Sequence, residues 1–193
     1  MRKILFLIFI FFISAGAYTK VLESNPYTQL IGFKGGGEYL FGTQMTGWSG
    51  GVFFENVIDS LIGIEIEMIK SDIPITNYSS LSKTTIYGLG NKEYIEISTA
   101  LKFYIQKVSV NVGLTYNDFL GGNIIYSNYI YYQDLRDNGE SFLSVFTGVE
   151  LVAQISSDLF SKIGVRFLYG IISPYWVNYA TGLRFYVSFA YGI

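Results

Sequence analysis

The sequence predicts an all-β protein, an eight-stranded antiparallel up-and-down transmembrane β-barrel preceded by a cleavable signal peptide. Three observations predict it. Eight stretches alternate apolar and polar residues with a period of two, and the charges inside them are expected to share one face. Beyond the first residues no window approaches the roughly 20 apolar residues of a membrane helix, so any crossing must be made by strands. The connections between the stretches alternate between short and long, as in barrels with turns on one side of a membrane and loops on the other.

The predicted strands are 29–41, 47–55, 61–70, 94–104, 108–117, 141–154, 160–171 and 181–193. The last is the cleanest. Leu183, Phe185, Val187, Phe189, Tyr191 and Ile193 occupy one side, and Gly182, Arg184, Tyr186, Ser188, Ala190 and Gly192 the other. Applied to every strand, the same phase gives an apolar outer face with residues such as Phe33, Ile64, Ile66, Ile97, Val112, Val149 and Val165. The opposite face collects Lys34, Glu38, Glu55, Glu65, Glu67, Glu96, Lys102, Glu150, Lys162, Arg166 and Arg184. In a barrel turned inside out these charges face the lumen. A slip of one residue would move them into hydrocarbon, at about 2–4 kcal/mol for a midplane Lys or Arg.

Short links are expected at Asn56–Ser60, Ile105–Lys107 and Ile155–Leu159, and intermediate ones near Gly42–Thr46 and Ser173–Ala180. Long loops are expected at 71–93 and 118–140. An even strand number returns both termini to the short-turn side, which is the periplasmic side in this architecture.

Residues 1–17 read as an export signal, with Arg2 and Lys3 ahead of the apolar run Ile4 to Ile13 and a small-residue cleavage site at Ala15-Gly16-Ala17. The mature part is then one barrel domain, 18–193, with a short periplasmic segment at about 18–28. Without Arg2 and Lys3 it carries 11 basic and 15 acidic residues and no basic block, a poor surface for nucleic acid. There is no Cys, hence no disulfide framework. Seventeen Tyr, 16 Phe and 21 Gly fit interfacial aromatic belts around a crowded interior.

On these features the chain resembles the eight-stranded outer-membrane barrel family, the OmpX and OmpA-transmembrane-domain type, over residues 28–193. Its last strand resembles the carboxy-terminal sorting signal read by the barrel-assembly machinery, through Gly182, Phe185, Val187, Phe189 and Tyr191. Ile193 departs from that pattern, which prefers Phe at the final position. The resemblance implies the cell outer membrane as the location and outer-membrane lipid as the surroundings.

Eight strands enclose a space about wide enough for their own side chains. Five inward cations face six inward anions, and buried charges need partners. A packed ion-pair network is therefore expected, with Glu65 or Glu67 near Lys102, Glu150 near Lys162 or Arg166, and Glu38 near Arg184. The same residues could line a charged constriction, which leaves a narrow channel or transporter for small or hydrophobic solutes as the alternative function. A soluble ligand-binding barrel would need the reverse polarity.

Catalysis has little to work with. The chain has no His, on which the barrel lipases, deacylases, acyltransferases and aspartyl-type proteases rely, and a Ser without a general base is inert. Gly35-Gly36-Gly37 lacks the ending of a phosphate loop. No cofactor and no metal site are expected. The long loops hold the remaining signal in Tyr78, Tyr87, Tyr126, Tyr129, Tyr131, Tyr132 and Arg136, set among Asn and Ser. That composition suits binding; it also suits polar hairpin ends in which Tyr87 and Tyr126 simply continue the strands. The expected function is a non-enzymatic, structural or surface-adhesive outer-membrane protein that meets an extracellular ligand or host surface through these loops.

Overall fold

The computed structural model describes residues 29–41, 45–58, 61–81, 84–126, 131–134, 141–172 and 181–193. The export signal 1–17 and the segment 18–28 lie outside them. The strands are β1 (Gln29–Leu40), β2 (Met45–Val57), β3 (Ile62–Leu81), β4 (Thr84–Ile105), β5 (Val108–Tyr126), β6 (Tyr131–Asp134), β7 (Phe142–Gln154), β8 (Leu159–Ile172) and β9 (Gly182–Gly192). Eight of them close a barrel in the order β4-β3-β2-β1-β9-β8-β7-β5, with β5 returning to β4 and β6 added outside β5. All pairings are antiparallel, from Leu30 opposite Gly192 at the β1–β9 seam to Ile105 opposite Val108 at the β4–β5 turn. Closure leaves no free edge in the wall, the condition for strands to cross a membrane.

The wall has the polarity the alternation requires. Phe33 is 71% exposed while its neighbour Lys34 is 4% exposed. Ile66, Met68, Ile97, Val112, Phe185 and Phe189 stand on the outer surface. All eleven charged residues assigned to the inner face are buried. Such an exterior cannot be solvated by water at a reasonable free energy, whereas lipid matches it. Tyr39, Phe41, Trp48, Tyr116 and Tyr169 are exposed near the end away from the short turns, where an aromatic girdle belongs.

One charge breaks the expected rule. Lys70 lies within the predicted third strand but points outward, paired with the exposed Glu93 at 3.0 Å. It sits at the rim, where a long ammonium side chain can reach water and an ion pair replaces lipid contact.

The larger correction concerns the loops. Residues 71–93 are not a loop, since β3 and β4 run on as one hairpin, paired without a register shift from Ile62 opposite Phe103 to Leu81 opposite Thr84. Likewise 118–126 continues β5, and 131–134 forms β6 against residues 123–126. The β-branched and aromatic residues Ile75, Thr76, Tyr78, Thr84, Thr85, Ile86 and Tyr87 favour extended backbone, and each strand satisfies the other's peptide groups. Pro74 and the scattered Asn, Ser and Gly residues disguise this in the sequence. Between Glu93 and Tyr94 the register against β5 shifts, leaving Leu120 unopposed. That bulge falls where the sheet leaves the barrel, and it bends the strand there.

At the other end the turns are tight. Ile105 and Val108 are joined by Gln106-Lys107, with Gln106 at φ 58°, the backbone that a two-residue hairpin of the II′ class demands at its first turn position.

Candidate functional site

Two regions collect the residues singled out from the sequence, the lumen and the sheet that projects beyond it. The lumen charges form two groups. Toward the short-turn end, Lys34, Lys102, Lys162 and Arg166 meet Glu55, Glu65, Glu67 and Glu150. Lys102 Nζ lies 2.8 Å from Glu55, 3.0 Å from Glu65 and 2.5 Å from Glu150. Arg166 spans the lumen from β8 to β3, donating at 2.8 Å to Glu67 Oε2 and at 2.8 Å to Glu65 Oε1. Lys34 also donates to both, at 2.8 Å to Glu65 and 2.6 Å to Glu67. Further along, Arg184 donates to Glu38 and to Glu96, each at 2.7 Å.

The first group holds equal numbers of cations and anions, so its charges are compensated where desolvation would otherwise forbid them. Two expected pairs are present, Lys102 with Glu65 at 3.0 Å and Arg184 with Glu38 at 2.7 Å, while the third is looser than expected. Lys162 takes Glu55 at 2.5 Å, and the closest cation to Glu150 is Lys102, with Arg166 farther away at 3.8 Å. Strand register explains the crossing contacts. Lys34 stands opposite Gly51, Glu38 opposite Gly47, Lys102 opposite Gly63, Arg166 opposite Gly148 and Glu150 opposite Gly164. A glycine across the ladder leaves the room in which a long charged side chain reaches over the axis.

Several lumen residues were not singled out beforehand. Tyr104 donates to Glu55 at 2.5 Å, Tyr186 to Glu150 at 2.6 Å and Ser109 to Glu150 at 3.0 Å. The Arg166 guanidinium lies 4.4 Å from the Phe146 ring centre, and Lys34 lies 4.7 Å from that of Tyr186. Strand phase alone would have found them, because Tyr104 shares parity with Lys102, and Tyr186 with Arg184. Lys92 is also buried; it escaped notice because 71–93 read as a loop.

A methyl group on Gly164 would collide with the Tyr186 ring, which fills the space the glycine leaves. Gly164→Ala is therefore expected to destabilise the barrel by roughly 1–3 kcal/mol, measured as the shift of its urea unfolding midpoint in lipid vesicles.

Apolar layers alternate with the charges along the axis. Leu30, Phe53, Val152, Phe160 and Ala190 close the short-turn end. Ala100, Phe146 and Leu168 form a second cluster. Leu40, Ile73 and Tyr94, with Phe119 and Phe142 against them, close the far end. The cavity beside Glu38, Glu96 and Arg184 measures only about 10 Å³, the room of about one water molecule. On the outer wall a shallow apolar groove of about 410 Å³ lies over Ile64, Thr99, Leu101, Val112 and Leu114. Its floor is intact ladder, with Thr99 opposite Leu114 and Ala100 opposite Gly113.

Beyond the barrel, β3, β4, β5 and β6 form a projecting sheet. Asp72 is the last β3 residue paired with β2, and nine more follow to Leu81, a reach of about 30 Å. Tyr78 lies directly opposite Tyr87, and Tyr126 directly opposite Tyr131, with Tyr132 opposite Ile125. Five of the tyrosines picked out as a binding surface thus share one sheet, whereas Tyr129 and Arg136 lie outside the described residues. The residues of the sorting pattern, Phe185, Val187, Phe189, Tyr191 and Ile193, are all exposed on the outer face at the carboxy-terminal edge of the seam. There the Ile193 amide donates to the Gln29 carbonyl at 3.0 Å.

Among solved structures, the chain is similar to Ail, the attachment invasion locus protein of Yersinia pestis, in complex with the heparin analogue sucrose octasulfate, at 12% identity and a TM-score of 0.49 over 86% of this chain and 96% of that one. Neisserial surface protein A gives the same values, 12%, 0.49, 86% and 96%. The N-terminal β-barrel domain of Pseudomonas aeruginosa OprF gives 10% and 0.45, over 86% of this chain and 98% of that one. No protein-family model matches the sequence, and no curated protein matches it at a significant level.

Proposed function

We propose that this chain is exported by its amino-terminal signal to the outer membrane, where the barrel anchors a non-catalytic contact surface for material outside the cell. The observation that carries this reading is the contrast between the two ends of the molecule. The lumen is filled by alternating apolar and ion-paired layers, while the strands on one side continue about 30 Å past the wall. Material is invested in reach rather than in a passage. The projecting strands are rich in Tyr, Asn, Ser, Thr and Ile, with Lys83 the sole charge between Ile73 and Asn91. Such a surface binds through contact area and adaptable hydrogen bonds more than through charge.

The short turns and both ends of the barrel strands lie together, which supports an extracellular position for the projecting sheet. Outer-membrane lipid surrounds the wall, and the outer face of β9 offers its alternating aromatic residues to the barrel-assembly machinery during insertion. Two features speak against catalysis. No imidazole exists to act as a general base, and the paired carboxylates Glu65 and Glu67 are each held by Lys34 and Arg166.

The polar lumen is what favours the alternative, a narrow channel. A conducting path would have to displace both apolar ends and the Arg184 bridge, and a lateral path for apolar solutes would have to open continuous ladder. Purified protein in planar bilayers is accordingly expected to give no reproducible single-channel steps; stable steps would establish the channel instead. Replacing 75–90 by an Asn-Gly turn should leave heat-modifiable gel migration intact, because the excised residues pair only with one another and with 124–126, above the barrel wall. The same deletion should abolish adhesion of expressing cells to host-cell layers. Retained adhesion would place the contact surface elsewhere.

A further inference from the structure

Among the described residues, the outer edge of β3 above the barrel carries a specific set of backbone groups without a ladder partner. At the foot of the strand the Ile58 amide donates to the Ile62 carbonyl on the β2 side, while the Tyr104 amide donates to the Leu61 carbonyl on the β4 side. In an antiparallel ladder the N–H and C=O of one residue point to the same neighbour, and successive residues alternate. The β3–β4 register holds unbroken to Leu81. Even-numbered β3 residues therefore turn their peptide groups away from β4. Past Asp72 that side has no strand partner among the described residues. Pro74 falls on this edge, where its missing N–H costs no ladder bond. Above it the open groups belong to Thr76, Tyr78 and Ser80, on a stretch, 73–81, without a single charge.

We propose that this edge pairs with the same edge of a second copy of the chain held in a facing membrane, joining two cells by a continuous intermolecular sheet. The proposal rests on the reading of the projecting sheet as extracellular. Strand direction selects the arrangement. Every β3 in one membrane runs outward, so two neighbours there present parallel edges. Two copies in opposed membranes present antiparallel ones, which can be related by a two-fold axis. A two-fold through Tyr78 sets Tyr78 opposite its counterpart and Thr76 opposite Ser80 of the other copy, so all three open residues are used twice. Pro74 ends the ladder on the barrel side, and the uncharged edge brings no like charges together. Edges protected against such pairing usually carry charges; this one has only the proline at its base.

The chain has no Cys, so introduced thiols report the register without background. Directly opposed, hydrogen-bonded residues have Cα atoms about 5.5 Å apart, within the span of a disulfide at about 4.4–6.8 Å. Full-length protein is reconstituted into two liposome populations, one tagged and one untagged, so that mixed disulfide dimers form only between vesicles. Under mild oxidation Tyr78→Cys is expected to give tagged–untagged dimers. Thr76→Cys in one population should crosslink to Ser80→Cys in the other, and neither to itself. Absence of mixed dimers with Tyr78→Cys, or equal self-crosslinking of Thr76→Cys, overturns the proposal. Labelling of Tyr78→Cys on intact cells by a membrane-impermeant maleimide keeps the two claims separate. Labelled but uncrosslinked protein sinks the self-pairing alone, whereas unlabelled protein sinks the extracellular sheet and the pairing with it.

Discussion

Val112→Arg should cost about 2–4 kcal/mol of folding free energy in a lipid bilayer, whereas Val112→Leu should be close to neutral. Val112 is exposed on the outer wall near mid-height, opposite Leu101 on one side and Thr147 on the other. A guanidinium there has no lumen partner within reach and must either drag water into hydrocarbon or snorkel toward a headgroup. Urea titration of protein in vesicles, followed by the gel shift between folded and unfolded forms, reads the difference directly. Equal stability of the two variants would mean that water, and not lipid, touches this face.

Lys102→Met is the second large effect, expected at about 3–5 kcal/mol destabilising. The lysine is fully buried, and its ammonium is shared by Glu55, Glu65 and Glu150. Its loss leaves four carboxylates facing Lys34, Lys162 and Arg166 in a space that water cannot refill. The diagnostic comparison is the double variant Lys102→Met/Glu150→Gln. It restores the balance of charges and keeps one acceptor oxygen where Glu150 accepts from Tyr186 and Ser109 on its two separate oxygens. The double variant should lose at least about 1 kcal/mol less than the sum of the single changes. Strict additivity would show that these groups are solvated separately and that no network operates.

Sealing the lumen and lengthening one side of the sheet are complementary features. A filled barrel is a rigid footing, because apolar clusters occupy both ends and ion pairs such as Arg166–Glu65 and Arg184–Glu96 cross the lumen between them. The sheet that rises from it inherits its direction from β3, β4 and β5, so its edge is held at a fixed orientation to the membrane. Contact through backbone groups needs that fixed orientation more than it needs particular side chains.

Much of this molecule was legible from parity alone. Because side chains alternate along a strand, the positions of Lys34, Glu65, Lys102 and Arg166 relative to Ile64, Leu101 and Val165 decide which side is greasy, and closure follows because no other sheet can hide its edges in lipid. Lys70 shows where the rule ends: at the rim, an outward ammonium beside Glu93 meets water. What parity cannot supply is register. Which glycine faces which charge, that Lys162 reaches Glu55, and that Arg166 crosses to β3 depend on the offset between strands that are far apart in sequence.

The amino-acid sequence by itself determined the solvent of each face, the number of strands in the barrel wall and the ionic filling, since these follow from local alternation and composition. Only the tertiary structure decided the partners inside the lumen and the extension of β3, β4 and β5 past the wall. The reason is physical: a polar segment with mixed turn and strand residues becomes a strand when a neighbour completes its hydrogen bonds, and that neighbour is chosen by the whole barrel.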